Sequence, residues 1–150
     1  MIARKATIRF RTINMCSDDA TNRVVQNWLD ERRIAESSGF IAVSDKFPVS
    51  KGHTLIFSKR PVQDIFELTA QDFADLQGIL ADVRSKLMAE LAPDGFNVGT
   101  NSGSAAGQTV MRFHLHVIPR FVGDVKDPTG GIRNLKSSDV AYPAKITENR

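Results

Sequence analysis

Cysteine is almost missing from this chain: among 150 residues only Cys16 carries a thiol. A single thiol excludes an internal disulfide and a Cys-x-x-Cys metal knuckle. Long apolar runs are missing too. None approaches the roughly 20 residues of a membrane-spanning helix, and the opening stretch MIARKATIRF has no apolar centre of the kind a secretory signal carries. The expectation is a cytoplasmic protein without a membrane partner. Charge of one sign is not massed anywhere, since 20 Lys and Arg against 17 Asp and Glu leave a scattered +3. That balance mildly favours phosphate-bearing ligands and is too diffuse for a nucleic-acid footprint. Histidine is scarce as well, with three in all.

What is present suits one domain spanning 1–150: 41% hydrophobic and 25% charged residues are ordinary for a globular protein, and a chain of this length buries about two-thirds of its unfolded surface. ATIRFRTIN alternates as a half-buried strand does. Ser17, Asp18 and Asp19 cap a shorter helix running to about Glu31, with Val24, Val25, Trp28 and Leu29 as its apolar stripe. A hairpin follows from Arg33 to Val43 around Ser37, Ser38 and Gly39, and a strand from Gly52 to Ser58 closes before Pro61. Thr69 opens a long helix whose Phe73, Leu76, Leu80, Val83, Leu87 and Leu91 recur every three or four residues. Pro93, Asp94 and Gly95 stop it, and Phe96 to Gly99 reads as a short strand. This order predicts an α+β fold with a largely antiparallel sheet of about five strands, one long helix and one shorter. Residues 136–150 are polar enough to be a mobile tail.

The chemistry concentrates in AGQTVMRFHLHVIPR, from Ala106 to Arg120. Alternation along an extended strand puts Arg112, His114 and His116 on one side and Phe113, Leu115 and Val117 on the other. Gly107, Gln108 and Thr109 form a small turn just before it, a layout suited to an anion. A P-loop is excluded, because no Gly-Lys-Ser/Thr follows Gly99 to Thr109 and a strand comes next.

AGQTVMRFHLHVIPR resembles the signature of the histidine triad superfamily, in which three histidines alternate with apolar residues after a Gly-Gln-Ser/Thr-Val turn. Arg112 stands where the first histidine is usual. Upstream, FIAVSDKFPVSKGHTLIFSKRPV is similar to the family's strand, loop and Gly-His strand. Downstream, GDVKDPTGGIR resembles the tail of many prokaryotic members, so the likeness runs over residues 33 to 135. Residues 1–32 diverge from it.

The resemblance implies a nucleotide hydrolase or transferase needing no cofactor. His114, matching the middle histidine, is then the nucleophile toward an α-phosphorus, which suits a side chain that is largely unprotonated at neutral pH. His116 matches the third histidine and assists the leaving group. Gln108 joins these two as a catalytic donor, with Gly107, Thr109, Asn101 and Arg112 near the phosphate. Asp45 matches a position that binds ribose hydroxyls, and His53 one that supports the active strand from behind. Phe10, Ile34 and Phe40 are candidates for the base pocket. A metal site on His53, His114 and His116 finds no cysteine pair or carboxylate cluster to complete it at readable spacing, so no metal is expected. The family also implies a purine nucleotide as partner and a homodimer. The competing reading is a purine-nucleotide-binding module without turnover, because of Arg112.

Overall fold

The computed structural model describes residues 31–135. The strand expected over 6–14, the helix opened at Ser17, the pocket candidate Phe10 and the tail expected over 136–150 lie outside them. Among the described residues five strands form one sheet: β1 (Arg33–Glu36), β2 (Phe40–Ser44), β3 (Thr54–Ser58), β4 (Gly95–Gly99) and β5 (His114–Arg120). Their spatial order is β1-β2-β3-β5-β4, and every neighbouring pair is antiparallel. One long helix, α1 (Ala70–Leu91), is inserted between β3 and β4. The fold is therefore α+β with an antiparallel sheet.

The helix starts where its chemistry says it should. Thr69 accepts from the Asp72 backbone N–H while the Asp72 carboxylate accepts from the Thr69 N–H, a closed capping box. The Thr69 backbone N–H and hydroxyl, with Arg60 behind them, hold the Asp72 carboxyl at about 2. Leu76, Ile79, Val83 and Leu87 are its buried stripe, whereas Phe73, expected there, is half exposed in the first turn. The stop is Ala92, left-handed at φ 46°, one residue before Pro93.

The β1–β2 turn is tied down from the helix. The Asp75 carboxylate accepts from the Gly39 N–H and from the hydroxyls of Ser37 and Ser38. Burial opposes its charge, but those three donors outweigh it and hold its pKa below the ordinary carboxylate value.

The sheet's two faces have different contents. Phe40, Ala42, Ile56, Leu115 and Val117 pack under α1 with Leu76, Ile79, Val83 and Leu87. The opposite face carries Ile41, Val43, Leu55 and Phe57. Which residue goes to which face follows from the strand period of two, and it decides where the histidines stand.

Candidate functional site

Directly opposed residues in antiparallel strands share a face. Register therefore builds two rows across the sheet: Ile41, Phe57 and His114 in one, and Val43, Leu55 and His116 in the other. Each row is two apolar side chains and then an imidazole. Gly99 continues the second row beyond His116 on β4, with the Ile132 side chain packed over it. Phe57 is buried with its ring stacked against His114, centroids 5.0 Å apart at 27°. Ile34 and Phe40, expected in a base pocket, belong to the other face: Phe40 is part of the cluster beneath α1 and meets Phe113 edge-on, and Ile34 packs against the same cluster. Ile41, Val43, Leu55 and Phe57 are the apolar groups beside the histidines. Their signal is in the chain, as the residues in phase with His114 once the hairpin register is known.

His114 is buried, and its Nδ1 lies 2.8 Å from the Arg112 carbonyl oxygen. A carbonyl only accepts, so Nδ1 carries the proton and Nε2 keeps the lone pair. Burial lowers the His114 pKa, and the Arg112 carbonyl and the Asp45 charge only partly oppose that. The ring is thus a neutral base with a fixed tautomer. The ring of His116 stands edge-on to it, centroids 5.2 Å apart.

His116 is the end of a chain of three groups. Its Nδ1 is 3.0 Å from His53 Nε2, and His53 Nδ1 is 3.2 Å from Asp45 Oδ2. Burial lowers both histidines. It brings His116 to about 4, with help from neighbouring His114 and His53, and it lowers His53 against the pull of Asp45. His116 Nε2 is buried with no hydrogen-bond partner among the described residues. With its proton on Nδ1, His53 donates to the Asp45 carboxylate and has a lone pair on Nε2. The opposite tautomer, with the Val49 N–H donating to His53 Nδ1 at 3.3 Å, leaves an N–H there. The two states differ only by shifting protons along the chain. Asp45, His53 and His116 are also a convergent set of metal-ligand types, with ligand atoms within 4.8 Å of one another.

His53 owes its place to Gly52, whose φ of +84° and lack of a side chain let the chain pass under Leu87, Leu91 and Pro119. Asp45 has its other oxygen on the Phe47 N–H, 2.9 Å away, which fixes the loop between β2 and β3.

The turn before β5 is organised around Gln108. This buried side chain accepts from the Gly103 N–H at 2.8 Å and donates to the carbonyls of Gln63 and Val110 at 2.7 and 3.1 Å. Both amide hydrogens are used internally, so what the structure shows of Gln108 is a brace. Gly107 takes φ +90° after the short 3-10 turn Ser104–Ala106, Thr109 is exposed, and the Asn101 amide lies across the loop from Gly107.

Arg112 departs from the strand parity expected of it. The Arg112 N–H donates to the Val110 carbonyl at 2.8 Å, which bends the backbone, and β5 begins only at His114. The guanidinium turns to the end of β3: Nε donates to the Ser58 carbonyl and Nη2 to the Lys59 carbonyl, each at 2.7 Å. Burial draws its pKa down from the ordinary arginine value.

Comparison with known proteins bears on the family and the fold. A family model described as the HIT domain matches residues 26–123. A HIT-like protein of Mycobacterium tuberculosis is 36% identical over 114 residues, covering 76% of this chain and 79% of that one. Among solved structures, a HIT family protein from Bacillus anthracis is 35% identical with a TM-score of 0.61, covering 67% of this chain and 74% of its own. A zinc-bound histidine triad family protein from Mycobacterium smegmatis is 31% identical with a TM-score of 0.59, covering 67% and 76% respectively.

Proposed function

The chain belongs to the HIT domain family, and from that footing we propose that it is a nucleotide-binding hydrolase or transferase working through a nucleotidyl-histidine intermediate on His114. The observation that carries this reading is the 2.8 Å contact between His114 Nδ1 and the Arg112 carbonyl. It holds the proton on one nitrogen and aims the other, unprotonated, away from the backbone.

In the first step His114 Nε2 attacks the α-phosphorus of a nucleoside phosphoanhydride or phosphoramidate. The phosphorus–nitrogen bond forms as the bond to the leaving oxygen or nitrogen breaks, and the leaving group takes a proton from His116 Nε2. Water then attacks phosphorus, its proton returns to His116, and the nucleoside monophosphate departs from Nε2 of His114. At its low pKa His116 is neutral in the empty site. An arriving phosphate anion raises that pKa, and the chain through His53 to Asp45 stabilises the imidazolium. The apolar rows of Ile41, Val43, Leu55 and Phe57 supply the floor for a purine base. Asp45 is assigned to the ribose hydroxyls, and Gly107, Thr109 and Asn101 to the phosphate edge. In this reading Gln108 serves by holding that edge in shape. The same reading takes the protein as a homodimer, which light scattering on the purified protein tests.

Incubation with adenosine phosphoramidate and with a diadenosine polyphosphate should release AMP. An acid-quenched sample should carry a nucleotidyl adduct that disappears in His114→Ala. No AMP from either compound, with the protein shown to be folded, overturns the assignment. The second reading, a purine-nucleotide-binding module without turnover, is favoured by one observation, the arginine at position 112. It predicts binding by calorimetry, no adduct, and restored turnover in Arg112→His.

A further inference from the structure

Three kinds of contact that orient His114 meet at Arg112. The backbone carbonyl of Arg112 holds the His114 proton, its N–H is taken by Val110, and its side chain reaches the carbonyls of Ser58 and Lys59. Those two carbonyls lie where the β3–β5 ladder stops: the last register pair is Phe57 with His114, and beyond it the Ser58 N–H donates to the Phe113 carbonyl at 3.2 Å. A planar guanidinium has two parallel donors on one edge, and here they take two consecutive carbonyls of the neighbouring strand. A lysine ammonium has three N–H groups but no planar, parallel pair, so it holds two consecutive carbonyls with poorer geometry.

We propose that Arg112 is a positioning residue for His114, a clamp that closes the end of the β3–β5 ladder and thereby fixes the carbonyl that sets the nucleophile's tautomer. It makes no phosphate contact in this role. Two of the five guanidinium N–H groups, including Nε beside the backbone, are held by the protein's own carbonyls, and those acceptors come from the end of the strand beside His114. Phe113, next in sequence, is fully buried and its N–H donates to the Val62 carbonyl at 2.8 Å, so the clamp and the Phe113 anchor together leave residues 112–113 one place to sit. The arginine thus supplies by its side chain a rigidity that keeps position 112 useful without a histidine there. The proposal rests on His114 as the nucleophile of the reading above, but its structural half stands independently.

The test uses the intact protein with nitrogen-15-labelled histidine, comparing wild type with Arg112→Lys, Arg112→Gln and Arg112→Ala. Wild type should show His114 as one tautomer, protonated on Nδ1. Arg112→Gln and Arg112→Ala should show a mixture, with adduct formation slowed about 100-fold and KM changed less than about 2-fold. Arg112→Lys should fall between. An unchanged tautomer in Arg112→Gln overturns the clamp, and so does a KM increase with turnover intact, which marks a direct phosphate contact. Should Arg112→Ala fail to fold, Arg112→Gln and Arg112→Lys decide the same question. The resonance measurement needs no turnover. A shifted tautomer in a protein whose wild type never forms an adduct retires the hydrolase reading and keeps the clamp.

Discussion

His53 Nε2 lies 3.0 Å from His116 Nδ1, so the second of the two histidines on β5 is wired to one that precedes β3. A proton leaving His116 Nε2 can be compensated within that pair, and Asp45 steadies its far end. His53→Gln should therefore slow reactions that need a protonated leaving group far more than those that do not. For a phosphoramidate with an alkylamine leaving group the expected loss in kcat is about 100-fold. For a substrate with a nitrophenolate leaving group it is less than about 3-fold. Steady-state kinetics on the two substrates checks this, and equal losses on both would place His53 in folding rather than in proton transfer.

Activity should depend on pH through His114. Burial holds its pKa below the ordinary 6.5, so the nucleophile remains unprotonated into mildly acid solution. The acid limb of kcat/KM is expected to bend below pH 6.5 with a slope of one proton. A midpoint above 6.5 contradicts the buried, uncharged ring.

Stability should carry the mark of His116. In the unfolded chain its imidazole binds a proton near 6.5, whereas in the folded protein burial and two neighbouring imidazoles lower this to about 4. Between those values the unfolded state holds more protons, so this contribution to folding stability is fully present above about 6.5 and is lost as the pH falls toward 4. Tm measured across that window should drop in wild type and drop less in His116→Asn. Equal slopes in the two proteins would remove His116 as the source.

The site's address is legible in the sequence, while parts of its wiring are not. His114 and His116 are in phase because a strand repeats every two residues, and that holds from His114 onward. Arg112 breaks phase because a turn hydrogen bond between residues 110 and 112 delays the start of the strand, and a turn of that size leaves no mark in an alternating pattern. Phe40 lies on the face away from the histidines for a related reason: its phase relative to His114 passes through two strand registers, and register is a tertiary fact. The long helix and its cap are readable because Thr69 and Asp72 are local to each other. The pairing of Asp45 with His53 joins the two ends of a loop, and no local periodicity announces it.

Gly52→Ala should be costly although the change is one methyl. The residue has φ +84°, and an added Cβ would sit 2.5 Å from Leu91 Cδ1 and 3.0 Å from Leu87 Cδ2. Backbone strain and overpacking combine, for a loss of about 2 kcal/mol. Because His53 follows directly, adduct formation should fall more steeply than stability alone explains. Chemical denaturation and adduct trapping on the same sample separate the two effects.

Ala92→Gly is expected to act in the opposite direction. Ala92 closes α1 in the left-handed region at φ 46°, and its N–H donates to the Met88 carbonyl at 3.1 Å. An L-residue with a Cβ is strained there by roughly 1 kcal/mol, which glycine relieves. Glycine also has more freedom to lose from the unfolded chain, which returns part of that gain. The strain term is the larger where φ is positive, so the net expectation is a rise in Tm of a few degrees, with adduct formation unchanged because the hydrogen bonds that hold His53, His114 and His116 do not involve Ala92. A fall in Tm would mean that the left-handed turn at the end of α1 is not the conformation held in solution.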